Sequence, residues 1–277
     1  MKSWLVVLVM VSMFLALVSC GASPSTTKPE EGYYFLTVEK YRRIVMITED
    51  GTLAIGINAG LYSEFAVDDD QKLLFVAGGS SSTVYNHSSG DFEFQKTLSL
   101  SLGYIFCGYG RIAVVRNATD DVDFYDYDGT FIKNVKFKDP ADTRAQDVYG
   151  IFLDEDTFVL SDGGDHNVIK IRISDGSIEV LKHFDDNLGS IFKHGDSYYV
   201  VRGGSMIYKF NETTDPVLIA SGLPSLVLGL YVDDNLIYFV SNGECGFYIY
   251  NMDTGKYMKK FDLNYPYSLY RISFRNP

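Results

Sequence analysis

Six turns of similar composition recur along the chain: TEDGT at 48–52, HSSGD at 87–91, YDGT at 127–130, SDGS at 174–177, NETTDP at 211–216 and MDTGK at 252–256. Their centres stand roughly 39, 39, 47, 38 and 41 residues apart. Between them run short segments rich in Val, Ile, Phe and Tyr, and no segment sustains the i, i+3, i+4 apolar spacing of a helix. A period near forty residues with about four short strands per unit leaves few architectures open, because each small sheet must bury its faces against its neighbours. The expectation is an all-β fold, a six-bladed β-propeller with four-stranded blades.

One unit shows the grammar in full: YGIFLD (Tyr149–Asp154), TFVLSD (Thr157–Asp162), NVIKIRIS (Asn167–Ser174) and SIEVLKHF (Ser177–Phe184). The unit around Gly255 repeats it as LGLYVD, LIYFVS, GFYIYNM and KYMKKFDL. The first unit has only YYFLTV (Tyr33–Val38), YRRIVMIT (Tyr41–Thr48) and TLAIGI (Thr52–Ile57), while the tail YSLYRISF (Tyr267–Phe274) is one strand over. The tail is therefore expected to complete the first blade in a 3+1 closure, which leaves no unpaired sheet edge at the seam. The insertion KDPADTRAQD at 138–147 accounts for the single long spacing.

The chain opens with Lys2, an apolar run from Trp4 to Leu17 and small residues before Cys20, the pattern of a secretory signal. The junction Leu17-Val18-Ser19-Cys20 resembles the lipobox of bacterial lipoproteins. That resemblance implies a signal peptide at 1–19, palmitate-type acylation of Cys20, a lipidated flexible tether at 20–32 (GASPSTTKPEEG after the cysteine) and the propeller at 33–277. An ordinary signal peptide with a chance cysteine and an uncleaved anchor are the alternatives. A lipidated chain belongs in the cell envelope, on the outer membrane of a Gram-negative cell, towards which Gly21 leans, or on the outer face of the cytoplasmic membrane. The full chain carries 24 basic and 36 acidic residues, a net charge of −12, and loss of Lys2 with the signal makes it −13. Nucleic acid is excluded as a partner on that charge. Cys107 and Cys245 fall in distant repeats, so neither a disulfide framework nor a metal-type cysteine spacing is present.

The stretch Asp162-Gly-Gly-Asp-His-Asn-Val168 resembles the turn of NHL-type (or YVTN-like) propeller repeats, with Asp162, Gly164 and His166 matching, Asp165 standing in for Asn and Asn167 replacing the usual Arg. Asp162, Asp165 and His166 are either ligand positions or the hydrogen-bonding groups of a tight turn, which Asp and His commonly supply. Arg202 and, in the insertion, Arg144 are assigned to the same loop face as binding candidates. The acidic run Asp120–Gly129 fails as a calcium loop, because aligning Gly129 with the loop glycine puts Phe124 and Val135 at ligand positions. Its alternation predicts instead an outer strand with Asp121 and Asp123 on a wet face. The inner strands read EFAV, YIFC, GIFL, SIFK, GLYV and LYRI, with Glu64 and Asp147 the acids near their starts.

These readings point to a lipid-anchored module that binds a protein or glycan partner through its loop face, with no cofactor and no metal. The alternative is a lactonase-like hydrolase or lyase, which needs several titratable groups converging at the channel mouth.

Overall fold

The computed structural model describes residues 32–39, 43–48, 53–58, 63–78, 81–88, 92–100, 103–116, 119–137, 148–263, 266 and 269–274. Cys20, Arg144, Asp147, the signal segment and the tether up to residue 31 lie outside the described residues, and Gly32, assigned to the tether, opens the first strand. Strands β1 (Gly32–Glu39), β2 (Arg43–Thr48) and β3 (Leu53–Asn58) are followed by β4 (Ser63–Asp68), β5 (Leu73–Gly78), β6 (Ser81–Asn86) and β7 (Glu93–Ser99). Next come β8 (Tyr104–Gly108), β9 (Arg111–Arg116), β10 (Asp121–Asp126) and β11 (Phe131–Lys136), then β12 (Tyr149–Phe152), β13 (Thr157–Asp162), β14 (Asn167–Arg172) and β15 (Ile178–His183). The chain continues with β16 (Leu188–His194), β17 (Ser197–Arg202), β18 (Met206–Phe210) and β19 (Val217–Ala220), and ends with β20 (Val227–Asp233), β21 (Leu236–Ser241), β22 (Gly246–Asn251), β23 (Lys256–Asp262) and β24 (Tyr270–Phe274).

These strands form six four-stranded sheets, five of them built from consecutive strands and one ordered β24-β1-β2-β3. All pairings are antiparallel, and in the mixed sheet Tyr33 faces Ser273 while Tyr34 faces both Ile272 and Thr48. The six recurring turns fall between the third and fourth strands of the sheets. Innermost strands neighbour one another in the order β4, β8, β12, β16, β20, β24 and back to β4. The fold is an all-β propeller of four-stranded antiparallel blades.

The second strand of each sheet explains why the units stack. RIAVVR, TFVLSD, SYYVVR and LIYFVS are near-continuous apolar runs, and their middle four residues are all buried. Alternate side chains of a strand point to opposite faces, so such a run needs a partner on each side. In β13, Phe158 and Leu160 pack into a core shared with the β8–β11 sheet, whereas Val159 packs into one shared with the β16–β19 sheet. In β21 the same split sends Ile237 and Phe239 one way and Tyr238 and Val240 the other. Fourth strands lack a second partner and leave Phe94, Val180, Val217 and Met258 in solvent.

The acidic run at 120–129 departs from the wet-face expectation. Strand β10 is the third strand of its sheet, and Asp121 and Asp123 are only 3% and 6% exposed. Arg116 on the adjacent β9 grips Asp121 with two hydrogen bonds of 2.8 Å and lies 3.2 Å from Asp123, whose other oxygen accepts from Asn134 at 2.7 Å. A cross-strand cation, invisible in the alternation of one strand, satisfies both carboxylates inside the sheet.

Close packing sets a test. A Cβ on Gly150 in β12 would lie 2.2 Å from Phe158 Cζ, and that ring is wedged between Phe106, Phe124 and Phe152 at centroid distances of 5.8, 5.7 and 4.9 Å. Gly150→Ala is expected to destabilise the protein by about 1–3 kcal/mol, lowering the melting temperature by roughly 2–10 °C. An unchanged melting curve contradicts this packing.

Candidate functional site

Two polar groupings stand out, one on the loop face and one at the opposite end of the axial channel. On the loop face, the turn after β13 is shaped by Asp162, which is fully buried and accepts a hydrogen bond of 2.8 Å from the Gly164 amide. This side chain builds the turn. His166 sits in the left-handed region at φ 60° and its Nε2 lies 3.0 Å from Asn187 Oδ1. Asp165 beside it is half-buried.

Arg202, at the end of β17, approaches the same connection from the next sheet. It pairs with Asp185, donates to the Tyr208 hydroxyl at 3.0 Å and stacks over that ring at 5.3 Å. The Gly203 amide donates to Asn187 O at 2.8 Å, and the Phe184 amide to His166 O at 2.8 Å. The structure thus brings His166 and Arg202 to opposite sides of one connection, 184–187, which they hold between two blades.

At the channel, Asp68 ends inner strand β4 and is 6% exposed. Its Oδ1 accepts from the Gln71 amide at 3.0 Å, and its Oδ2 accepts from the hydroxyl of Tyr127, which reaches across from the neighbouring sheet. Cys107 of β8 adjoins both. Burial pushes the Cys107 thiol well above its ordinary range, and the Asp68 charge adds to the effect. Burial likewise raises Tyr127, with Cys107 and Asp68 adding. Both groups hold their protons at neutral pH, so the trio has one carboxylate already occupied as an acceptor and no poised nucleophile.

Glu64, near the other end of β4, is exposed, with its carboxyl raised above the ordinary carboxylate range by the protein packed around it. Among the described residues no three His, Cys, Asp or Glu side chains are placed to hold a metal ion. Sequence reasoning pointed to Glu64 and passed over Asp68 and Tyr127, whose contact spans 59 residues. The only local sign was the run Asp68-Asp69-Asp70 closing an otherwise apolar inner strand.

No protein-family model matches the sequence, and no curated protein does. Solved structures do resemble the fold. A chain of a nidogen/laminin complex superposes with a TM-score of 0.67 at 13% identity, covering 87% of this chain and 98% of that one. A protein of unknown function from Bacteroides caccae gives 0.66 at 11% identity over the same shares. The hydrazine synthase of Kuenenia stuttgartiensis gives 0.55 at 14% identity, covering 76% of this chain and 71% of that one. At such identities the likeness is one of fold, the β-propeller.

A buried histidine beside the channel hairpin yields a pH test. His87 has no exposed surface, its Nε2 lies 3.9 Å from Asp69 Oδ1, and Lys72 is close by. Burial lowers its pKa from 6.5 to about 4, against the pull of Asp69. An unfolded histidine takes up its proton near 6.5 and the folded one near 4, so stability is lost as pH falls through that interval, by up to about 3 kcal/mol. Urea midpoints measured from pH 7 to pH 4 are expected to fall more steeply for the native protein than for His87→Gln. Parallel curves refute the assignment.

Proposed function

We propose that the chain is a lipid-anchored, cell-envelope β-propeller that binds a protein or glycan partner through the face carrying the second-to-third-strand turns and the blade-to-blade connections. The observation that carries this reading is the 184–187 connection, held from both sides by His166 and Arg202. Loops fixed before a partner arrives lose little entropy on binding, and the residues of this patch are polar and spread out rather than aimed at one point. Asp162 serves by shaping the turn, Asp165, His166 and Arg202 by presenting polar groups, and Arg144 by its place in the insertion at 138–147. That one similar propeller structure comes from a nidogen/laminin complex is consistent with a protein-binding use of the fold.

The architectural part of the proposal is a six-bladed ring closed 3+1 by the C-terminal strand. It draws support from the six sheets and from the pairing of β24 with β1. The localisation rests on the Leu17-Val18-Ser19-Cys20 junction. Two or three acyl chains, at about 0.8 kcal/mol per buried methylene, hold a domain on a bilayer. The enzymatic alternative finds its best material in Asp68, Cys107 and Tyr127, but two of the three are locked in the protonated form.

Two experiments test the proposal. Cys20→Ala is expected to abolish metabolic labelling by palmitate, and continued labelling refutes the anchor. Envelope partners captured by the native protein are expected to be lost with Arg144→Ala combined with Asp165→Ala, at an unchanged melting temperature. Arg202→Lys, which keeps charge but not the planar stacking, should weaken capture less than Arg202→Ala. Undiminished capture by all these variants moves the site to another surface.

A further inference from the structure

Inner strands β4, β8, β12, β16 and β20, with the β4–β5 turn and Leu269, line an axial cavity of about 310 Å³ that opens to solvent. That is at the lower bound of small-molecule pockets, roughly 300 to 1,000 Å³. Six aromatic residues line it: Phe106, Tyr109, Tyr149, Phe152, Phe192 and Tyr231. The rings of Phe192 and Tyr231 meet at 4.8 Å with 57° between their planes, on the side away from β4. Leu228, Leu230 and Leu269 supply aliphatic wall.

Charge on the lining is of one sign. Asp68, Asp69 and Asp70 stand together at one margin, and no Lys, Arg or His is among the described lining residues. Lys72, 2.9 Å from Asp69, offsets one of the three carboxylates from behind. Asp68 is engaged by Tyr127 and the Gln71 amide. Asp70 is exposed at the mouth.

The geometry points to a binding site for a small organic ammonium compound, its cationic head beside Asp70 and its apolar body among the rings. Aromatic faces carry negative potential and attract ammonium groups. The carboxylates add a Coulombic attraction that strengthens as water is displaced. Both effects repel an anion of the same shape, and neither distinguishes the neutral isostere except by its lack of charge. Its charged margin, Asp68 to Asp70, lies at the hairpin end of β4, away from the 163–166 and 184–187 loops, so the inference does not rest on partner binding at the loop face.

Calorimetric titration of the purified full-length protein with phenethylammonium, 2-phenylethanol and 3-phenylpropionate at low salt tests it. The ammonium is expected to bind saturably at one site, about tenfold or more tighter than the alcohol, with no binding of the carboxylate. Asp70→Asn should weaken the ammonium about three- to tenfold and leave the alcohol unchanged, whereas Phe192→Ala should weaken both. Should Phe192→Ala fail to fold, salt takes its place: 0.5 M sodium chloride must weaken the ammonium and spare the alcohol. Absence of saturable ammonium binding, or equal binding of the carboxylate, overturns the inference.

Discussion

Burial of both faces of the second strands β9, β13, β17 and β21 is the constraint on which the rest of this molecule depends. A sheet with one apolar face is satisfied by a single layer of cover, but TFVLSD and LIYFVS present large side chains to both sides. Each of those sheets must therefore lie between two others, and twisted sheets stacked face to face in this way are the layout of a propeller. The cores confirm how local the arrangement is. Each buried cluster combines residues of two adjacent sheets, as where Phe106, Val115 and Phe124 meet Phe152, Phe158 and Ile171.

Hydrogen bonds then fix the spacing that hydrophobic packing alone leaves loose. The Ser161 hydroxyl donates to Gly189 O at 2.6 Å, Ser190 to Leu228 O, and Tyr250 to Ile219 O at 2.9 Å, each crossing from one sheet to the next or to the connection before it. Ion pairs repeat the pattern at the rim, where Lys96 meets Asp128 at 2.8 Å and Lys170 meets Glu212 at 3.2 Å. The rim pairs are exposed and worth little each. The buried hydroxyls matter more, because losing one leaves a carbonyl without its partner inside the protein.

Those features divide what the sequence makes legible from what it hides. Strand grammar is local, so apolar runs of four to six residues and Gly/Asp turns at a forty-residue spacing suffice to read four-stranded blades. Polar satisfaction is not local. Asp121 and Asp123 alternate with apolar residues as a wet strand would, yet Arg116 five residues back folds onto them across a hairpin. Tyr127 reads as another ring suited to packing, and its hydroxyl serves a carboxylate in a different repeat. The cluster at 162–166 was visible as a motif, but the roles divide in a way spacing cannot express: Asp162 turns inward to its own loop while His166 reaches the next connection.

The same division explains where chemistry is free to operate. Second strands are committed on both faces, and their terminal polar residues are spent on turns and neighbouring sheets. What remains adjustable is the loop face, whose connections bear no core residues between Asp185 and Asn187, and the channel wall, where inner strands have sheet neighbours on one edge only. Positions at the channel margin escape the two-sided packing rule, which is why the Asp68–Asp70 run is tolerated there. At the hairpin end of β4 most of the acids are answered from within the protein, Asp68 by the Tyr127 hydroxyl and the Gln71 amide and Asp69 by Lys72, and Asp70 stands exposed beside them.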